Sequence, residues 1–92
     1  MSHKKIAVLV SGGGTNLQAL IDAQQAGEII GGEIVAVVSS DPTAYALQRA
    51  ANANIPGYVV SRKDYSSNQA MTVALVEQLK SLEIDLVVLA GF

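Results

Sequence analysis

The stretch Ile6–Ile21, IAVLVSGGGTNLQALI, decides the fold. Its apolar, β-branched opening, Ile6 to Val10, stops abruptly at Ser11-Gly12-Gly13-Gly14-Thr15-Asn16, and apolar residues at helical spacing, Leu17, Leu20 and Ile21, begin at once. This pattern predicts a strand, a glycine loop and a helix. Three successive glycines free the backbone to take positive φ and leave no Cβ to obstruct a ligand. The amides of Gly14, Thr15 and Asn16 can then converge on one point at the helix N-terminus, and the natural occupant of that point is an anion, most often a phosphate. A tight, glycine-rich βα turn with no ligand has the same pattern, so the stretch alone leaves both readings open.

Upstream, residues 1–5 form a polar lead-in, expected to be flexible, with the chain's one histidine at His3. About eight strand residues at ~3.3 Å each separate His3 from Ser11, which puts it at the opposite edge of the sheet and makes it a poor catalytic candidate. MSHKK followed by IAVLV has the flavour of a signal peptide, but the apolar run breaks at Ser11-Gly12, short of the usual ~7–15 residues.

Downstream, the first helix is expected to start at Thr15, capped by its hydroxyl with Gln18 reaching back, and to end at Gly27. Leu17, Leu20, Ile21 and Ala23 would pack on the sheet, with Gln18, Asp22 and Gln25 facing water. Glu33–Ser39, EIVAVVS, lacks clean alternation and reads as a strand covered on both faces. Asp41-Pro42 then disfavours helix until about Thr43, and a short helix to Asn52 follows with Ala44, Leu47, Ala50 and Ala51 inward. Ile55-Pro56-Gly57 is a turn, and Tyr58–Val60 a brief third strand. Ser66-Ser67-Asn68-Gln69 offers a capping box for a third helix, from Ser67 to about Leu82, with Met71, Ala74, Leu75, Leu79 and Leu82 on one side. Asp85–Ala90, DLVVLA, is a fourth buried strand.

The order βαβαβαβ calls for an α/β, Rossmann-like parallel sheet with right-handed crossovers. With strands arranged 3-2-1-4, the ligand crevice opens between strands one and four and sets Ser11–Asn16 beside Gly91 and Phe92. The fourth strand then lies on an open edge, and the 92 residues read as the incomplete half of a larger domain, associating through that edge.

Composition narrows the function. Half of the residues are apolar, enough for one core if both faces of the sheet are covered. Zero cysteines remove disulfides, thiolate metal sites and cysteine nucleophiles, which fits a reducing compartment, and no metal site is expected. A net charge of −2 with six Lys and Arg argues against nucleic acid as the main partner. No stretch reaches the ~20 apolar residues a membrane span needs, so the chain is expected to be cytoplasmic.

Several phosphate-loop chemistries fail on spacing. Gly12-x-Gly14 satisfies the first half of the dinucleotide fingerprint, but Leu17 stands where its third glycine belongs, and the acidic Asp41 comes two residues past Ser39. No lysine occurs between Lys5 and Lys63, which removes a Walker loop. Ser11 precedes the glycines, so there is no nucleophile elbow.

AVLVSGGGTNLQALIDA, then VSSDPTAYALQRA, then IP, a helix and DLVVLAGF, resembles the amino-terminal half of the glycinamide ribonucleotide formyltransferases of purine biosynthesis, from Ile6 to Phe92. The resemblance implies transfer of a formyl group from 10-formyltetrahydrofolate, the co-substrate, to the amine of glycinamide ribonucleotide. It also implies that Gly14, Thr15 and Asn16, after the turn Ser11, Gly12 and Gly13, bind the substrate's phosphoribosyl end. Gly91 and Phe92 would lead into the folate pocket. Asn68 stands where relatives often carry a folate-associated arginine, and Arg62 and Lys63 nearby read as solvated charges. The family's catalytic asparagine, histidine and aspartate follow its LAGF segment, so catalytic residues are expected beyond Phe92, in a carboxyl-terminal half that acts as partner. Independently, amine attack on a formyl group needs oxyanion donors and a base, and Asp22, Asp41, Asp64 and Asp85 have no histidine near them in sequence. Two other readings remain: a stand-alone module binding a nucleotide or sugar phosphate, and a related formyl-transfer or formyl-hydrolysis domain.

Overall fold

A computed structural model describes residues 4–91. Along the chain run β1 (Lys4–Val10), α1 (Thr15–Gln25), β2 (Gly32–Ser39), α2 (Tyr45–Asn52), β3 (Gly57–Val59), a single 3-10 turn (Arg62–Asp64), α3 (Asn68–Ser81) and β4 (Leu86–Leu89). The sheet has the order β3-β2-β1-β4 with every pairing parallel, as the βαβ succession requires.

Because successive strand residues face opposite sides, the unbroken apolar run of β1 feeds two cores at once. Ile6, Val8 and Val10 pack with Leu17 and Ile21 of α1 and Ala46 and Ala50 of α2. Ala7 and Leu9 pack on the other face with Met71 of α3, flanked by Leu75 and Leu79. Leu17 and Ile21 are fully buried, and each such side chain contributes about 1.5–3 kcal/mol. With α1 and α2 on one face and α3 on the other, the winding direction reverses between β1 and β4. The crevice of a doubly wound sheet opens at that reversal, outside the carboxyl ends of the strands.

Several local expectations shift. β1 begins at Lys4, whose amide donates to the Gly31 carbonyl at 2.9 Å, so the lead-in over residues 1–5 gives up Lys4 and Lys5 to the strand; His3 lies outside the described residues. α2 begins at Tyr45 rather than Thr43, and within it Ala46 is buried while Ala51 is exposed. β3 is Gly57–Val59, one residue earlier than expected. The fourth strand is not buried: Leu86, Val87 and Leu89 are exposed, and only Val88 and Ala90 pack against the core. The reason is one-sided pairing, since β4 joins β1 along a single edge. Asp85 just before it has a structural role, accepting the Lys5 amide at 2.8 Å and donating its own amide to the Lys5 carbonyl at 2.8 Å.

Candidate anion-binding site

β1 ends at Val10, and the chain must reverse into α1 within four residues. Gly14 makes the reversal possible: at φ 80° and ψ 30° it takes the left-handed conformation and serves as the N-cap of α1. A Cβ on Gly14 would stand 2.7 Å from the Ala46 Cβ, whereas a Cβ on Gly12 or Gly13 would meet nothing within 4 Å. The fold thus demands glycine at one position of the three, and the other two border open space.

The N-terminus of α1 has no side-chain cap. Gln18 makes the first backbone bond of the helix, its amide donating to the Gly14 carbonyl at 2.8 Å, so the amides of Thr15, Asn16 and Leu17 precede the intrahelical ladder. The capping box expected at Thr15 and Gln18 is therefore absent. Gly14 occupies the cap position and moves Thr15 inside the helix, and the Gln18 side chain is engaged elsewhere. α3 offers the contrast, since the Ser67 hydroxyl oxygen accepts the Ala70 amide at 3.1 Å and closes that terminus.

On its other side the loop is held by α2. The Ala46 amide donates to the Gly12 carbonyl at 3.1 Å, and Arg49 Nε donates to the Gly13 carbonyl at 2.7 Å. Arg49 Nη1 also donates to Gln18 Oε1 at 3.1 Å, and Gln18 Nε2 in turn to Asp22 Oδ1 at 2.9 Å. The guanidinium lies over the Tyr45 ring, 5.0 Å from its centroid. Sequence reasoning missed Arg49. The Tyr45–Arg49 spacing, i to i+4 on a helix, was a legible sign that the side chain is held in place, but its loop partner lies 36 residues away.

Ser11 and Gly91 are brought together as expected: the Ser11 hydroxyl donates to the Gly91 carbonyl, joining the ends of β1 and β4. Phe92 lies outside the described residues. Asn68 opens α3 as an exposed residue, at the carboxyl edge of the sheet because α3 leaves from the end of β3. Asp41 has a turn role. Its Oδ1 accepts the Thr43 amide at 2.9 Å and the Thr43 hydroxyl at 2.7 Å, and those two bonds hold its pKa below the ordinary carboxylate value. Ser40, Asp41, Pro42, Thr43, Ser61 and the exposed Lys63 line a shallow concavity beside this turn. Among the described residues no group of three or more His, Cys, Asp or Glu is placed to hold a metal ion, and no helix is long and apolar enough to cross a membrane.

The chain matches known proteins in sequence and in fold. The family model described as formyl transferase matches residues 4–92. The chain belongs to the formyl transferase family. It is 51% identical over 89 residues to the phosphoribosylglycinamide formyltransferase of Haemophilus influenzae, covering 97% of itself and 42% of that protein. It is 46% identical over 91 residues to the trifunctional purine biosynthetic protein adenosine-3 of Drosophila melanogaster, covering 98% of itself and 7% of the larger protein. Among solved structures, glycinamide ribonucleotide transformylase 1 from Geobacillus kaustophilus superimposes with a TM-score of 0.92 at 39% identity, over 98% of this chain and 47% of that one. The chain thus spans less than half the length of each of these relatives.

Proposed function

We propose that this chain is the amino-terminal, phosphoribosyl-binding part of a glycinamide ribonucleotide formyltransferase acting in de novo purine synthesis in the cytoplasm. The observation that carries the reading is the open ground in front of α1. Gly12 and Gly13 border space in which a Cβ would touch nothing, and the helix behind them has no side-chain cap. Unpaired amides at a helix N-terminus complement a phosphate through hydrogen bonds and the helix dipole together. Similarity to a protein named phosphoribosylglycinamide formyltransferase, at 51% identity, supplies the substrate. In this reading Gly14, Thr15 and Asn16 hold the phosphate, and Ser11, Gly12 and Gly13 form the floor of the site. Gly91, Phe92 and Asn68 border the pocket of the formyl donor, 10-formyltetrahydrofolate.

In the reaction the amine of glycinamide ribonucleotide attacks the formyl carbon, an oxyanion develops on the formyl oxygen, and the amine loses a proton. Collapse of that intermediate breaks the bond from the formyl carbon to the donor's nitrogen, which takes up a proton as tetrahydrofolate leaves. Oxyanion donors and a base are therefore required. Those groups come from the carboxyl-terminal part of the enzyme, beyond Phe92. The role of these 92 residues is to fix one end of the substrate so that the other reaches the donor, a contribution made through binding and orientation.

Titration of glycinamide ribonucleotide against the amide resonances of Gly12 to Asn16 tests the reading. Saturable shifts at those amides are expected, and Gly12→Val should abolish them in a protein that still folds. A wild-type protein whose loop amides do not respond to the nucleotide overturns it. The 92 residues alone are expected to bind without transferring formyl; turnover above background would refute that division of labour.

A further inference from the structure

Three successive glycines leave each peptide unit between them free to rotate as a rigid plane, and an anion site needs those planes held in one orientation. Something outside the loop has to choose the orientation. The two peptide units inside the glycine run are both gripped by α2, through their carbonyl oxygens. The Gly12 carbonyl accepts the Ala46 amide at 3.1 Å, and the Gly13 carbonyl accepts Arg49 Nε at 2.7 Å.

In a trans peptide the C=O of one residue and the N–H of the next point in opposite directions, and no described peptide is cis. Holding the Gly13 carbonyl toward α2 therefore turns the Gly14 amide away from α2. We propose that Arg49 is a positioning residue for the anion site: by binding the Gly13 carbonyl it orients the Gly13–Gly14 peptide so that the Gly14 amide faces the ligand. The inference rests on the phosphate reading given above.

Three further features fit this role. Arg49 is itself held, by Gln18 Oε1 at 3.1 Å and by the Tyr45 ring 5.0 Å from the guanidinium carbon. Gln18 belongs to α1, the helix behind the site, so one guanidinium ties the loop both to α2 and to the helix that receives the anion. The bond is also charge-assisted, and a cation on the carbonyl polarises the peptide, which strengthens its amide as a donor on the opposite side. Arg49 thus acts through the Gly13–Gly14 peptide, without contact with the ligand.

Inorganic phosphate is the probe, titrated against the Gly13 to Asn16 amide resonances in wild-type protein and in Arg49→Ala, Arg49→Gln and Arg49→Lys. Arg49→Ala is expected to displace the Gly14 amide resonance before any ligand is added and to weaken phosphate binding about tenfold, the scale of losing one hydrogen bond to a charged group. Arg49→Gln, a neutral donor, should fall between. Methylguanidine added to Arg49→Ala should restore part of the affinity, which a purely structural role would not allow. Arg49→Lys keeps the stem and the charge but has no Nε–H; it carries the same test should Arg49→Ala unfold. A wild type that binds phosphate at the loop, with Arg49 variants that bind it equally well, overturns this inference alone. A wild type whose loop amides ignore phosphate overturns the site reading and this inference with it.

Discussion

Gly14 and Ala46 meet so closely that a Cβ on the first would stand 2.7 Å from the Cβ of the second and 2.8 Å from its Cα. The Ala46 atoms are backbone and the first side-chain carbon, so no rotamer change relieves the contact. Gly14 also sits at φ 80°. Gly14→Ala therefore combines about 1–2 kcal/mol of left-handed strain with about 1–3 kcal/mol of overpacking. Denaturant titration should find a loss of about 2–5 kcal/mol, the sum of those two effects. Gly12→Ala meets nothing within 4 Å, and its stability should stay within about 0.5 kcal/mol of wild type. Equal losses at both positions would contradict the division between a glycine needed by the fold and a glycine left free for a ligand.

The two helix termini behave as opposites in a second comparison. Ser67 Oγ accepts the Ala70 amide at 3.1 Å, so Ser67→Ala should cost about 0.5–2 kcal/mol. Thr15 is the first residue of α1, behind the Gly14 cap, and provides no such bond. Thr15→Ala should therefore change stability by less than about 0.5 kcal/mol. Thermal melts of the two variants side by side decide it, and a larger loss for Thr15→Ala would restore the capping role that its sequence context advertises.

That capping error marks the boundary of what the sequence could tell. The parallel sheet and the helix count follow from local pattern and the handedness of βαβ crossovers, both written into contiguous stretches. The order 3-2-1-4 is a condition that those rules do not decide, and the meeting of Ser11 with Gly91 follows once it holds. The cap at Thr15 looked sound because Gln18 stands three residues on. Which residue is the cap depends on the φ of Gly14, set by packing against Ala46 from another helix. The role of Arg49 is hidden in the sequence for the same physical reason, since its partner carbonyl is 36 residues away. The exposure of β4 is not legible in DLVVLA, which has the composition of a two-sided strand, whereas its burial is decided by what lies along its outer edge.

Asp41 provides a pH-dependent test. Its carboxyl accepts first the Thr43 amide and then the Thr43 hydroxyl, and both hold its folded pKa below the ordinary 3.8. A depressed carboxylate contributes its stability at pH values above the unfolded pKa and loses it as pH falls through the folded one. The turn should therefore be intact at neutral pH and loosen only below the ordinary carboxylate range. Thr43→Ala removes the hydroxyl but keeps the amide, so the Asp41 pKa should rise only part of the way back to 3.8. Carbon-detected titration of the Asp41 carboxyl measures this, and an unchanged pKa in Thr43→Ala would mean that the hydroxyl bond contributes nothing.

The remaining prediction concerns β4. Leu89 is 72% exposed and Leu86 51%, on a strand paired with β1 along one edge only. An apolar strand with a free row of amides and carbonyls is a template for another strand. In a complete formyltransferase the carboxyl-terminal part is expected to take that edge, so the 92 residues purified alone should associate through it as concentration rises. Leu86→Lys with Leu89→Lys places two charges on the strand, and like charges brought together across a self-pairing edge disfavour it. The double variant should sediment as a monomer at concentrations where the parent chain does not. Because both side chains are exposed, its unfolding midpoint should stay near that of the parent. A parent chain that remains monomeric throughout, or a double variant that associates as strongly, would place the association elsewhere or remove it.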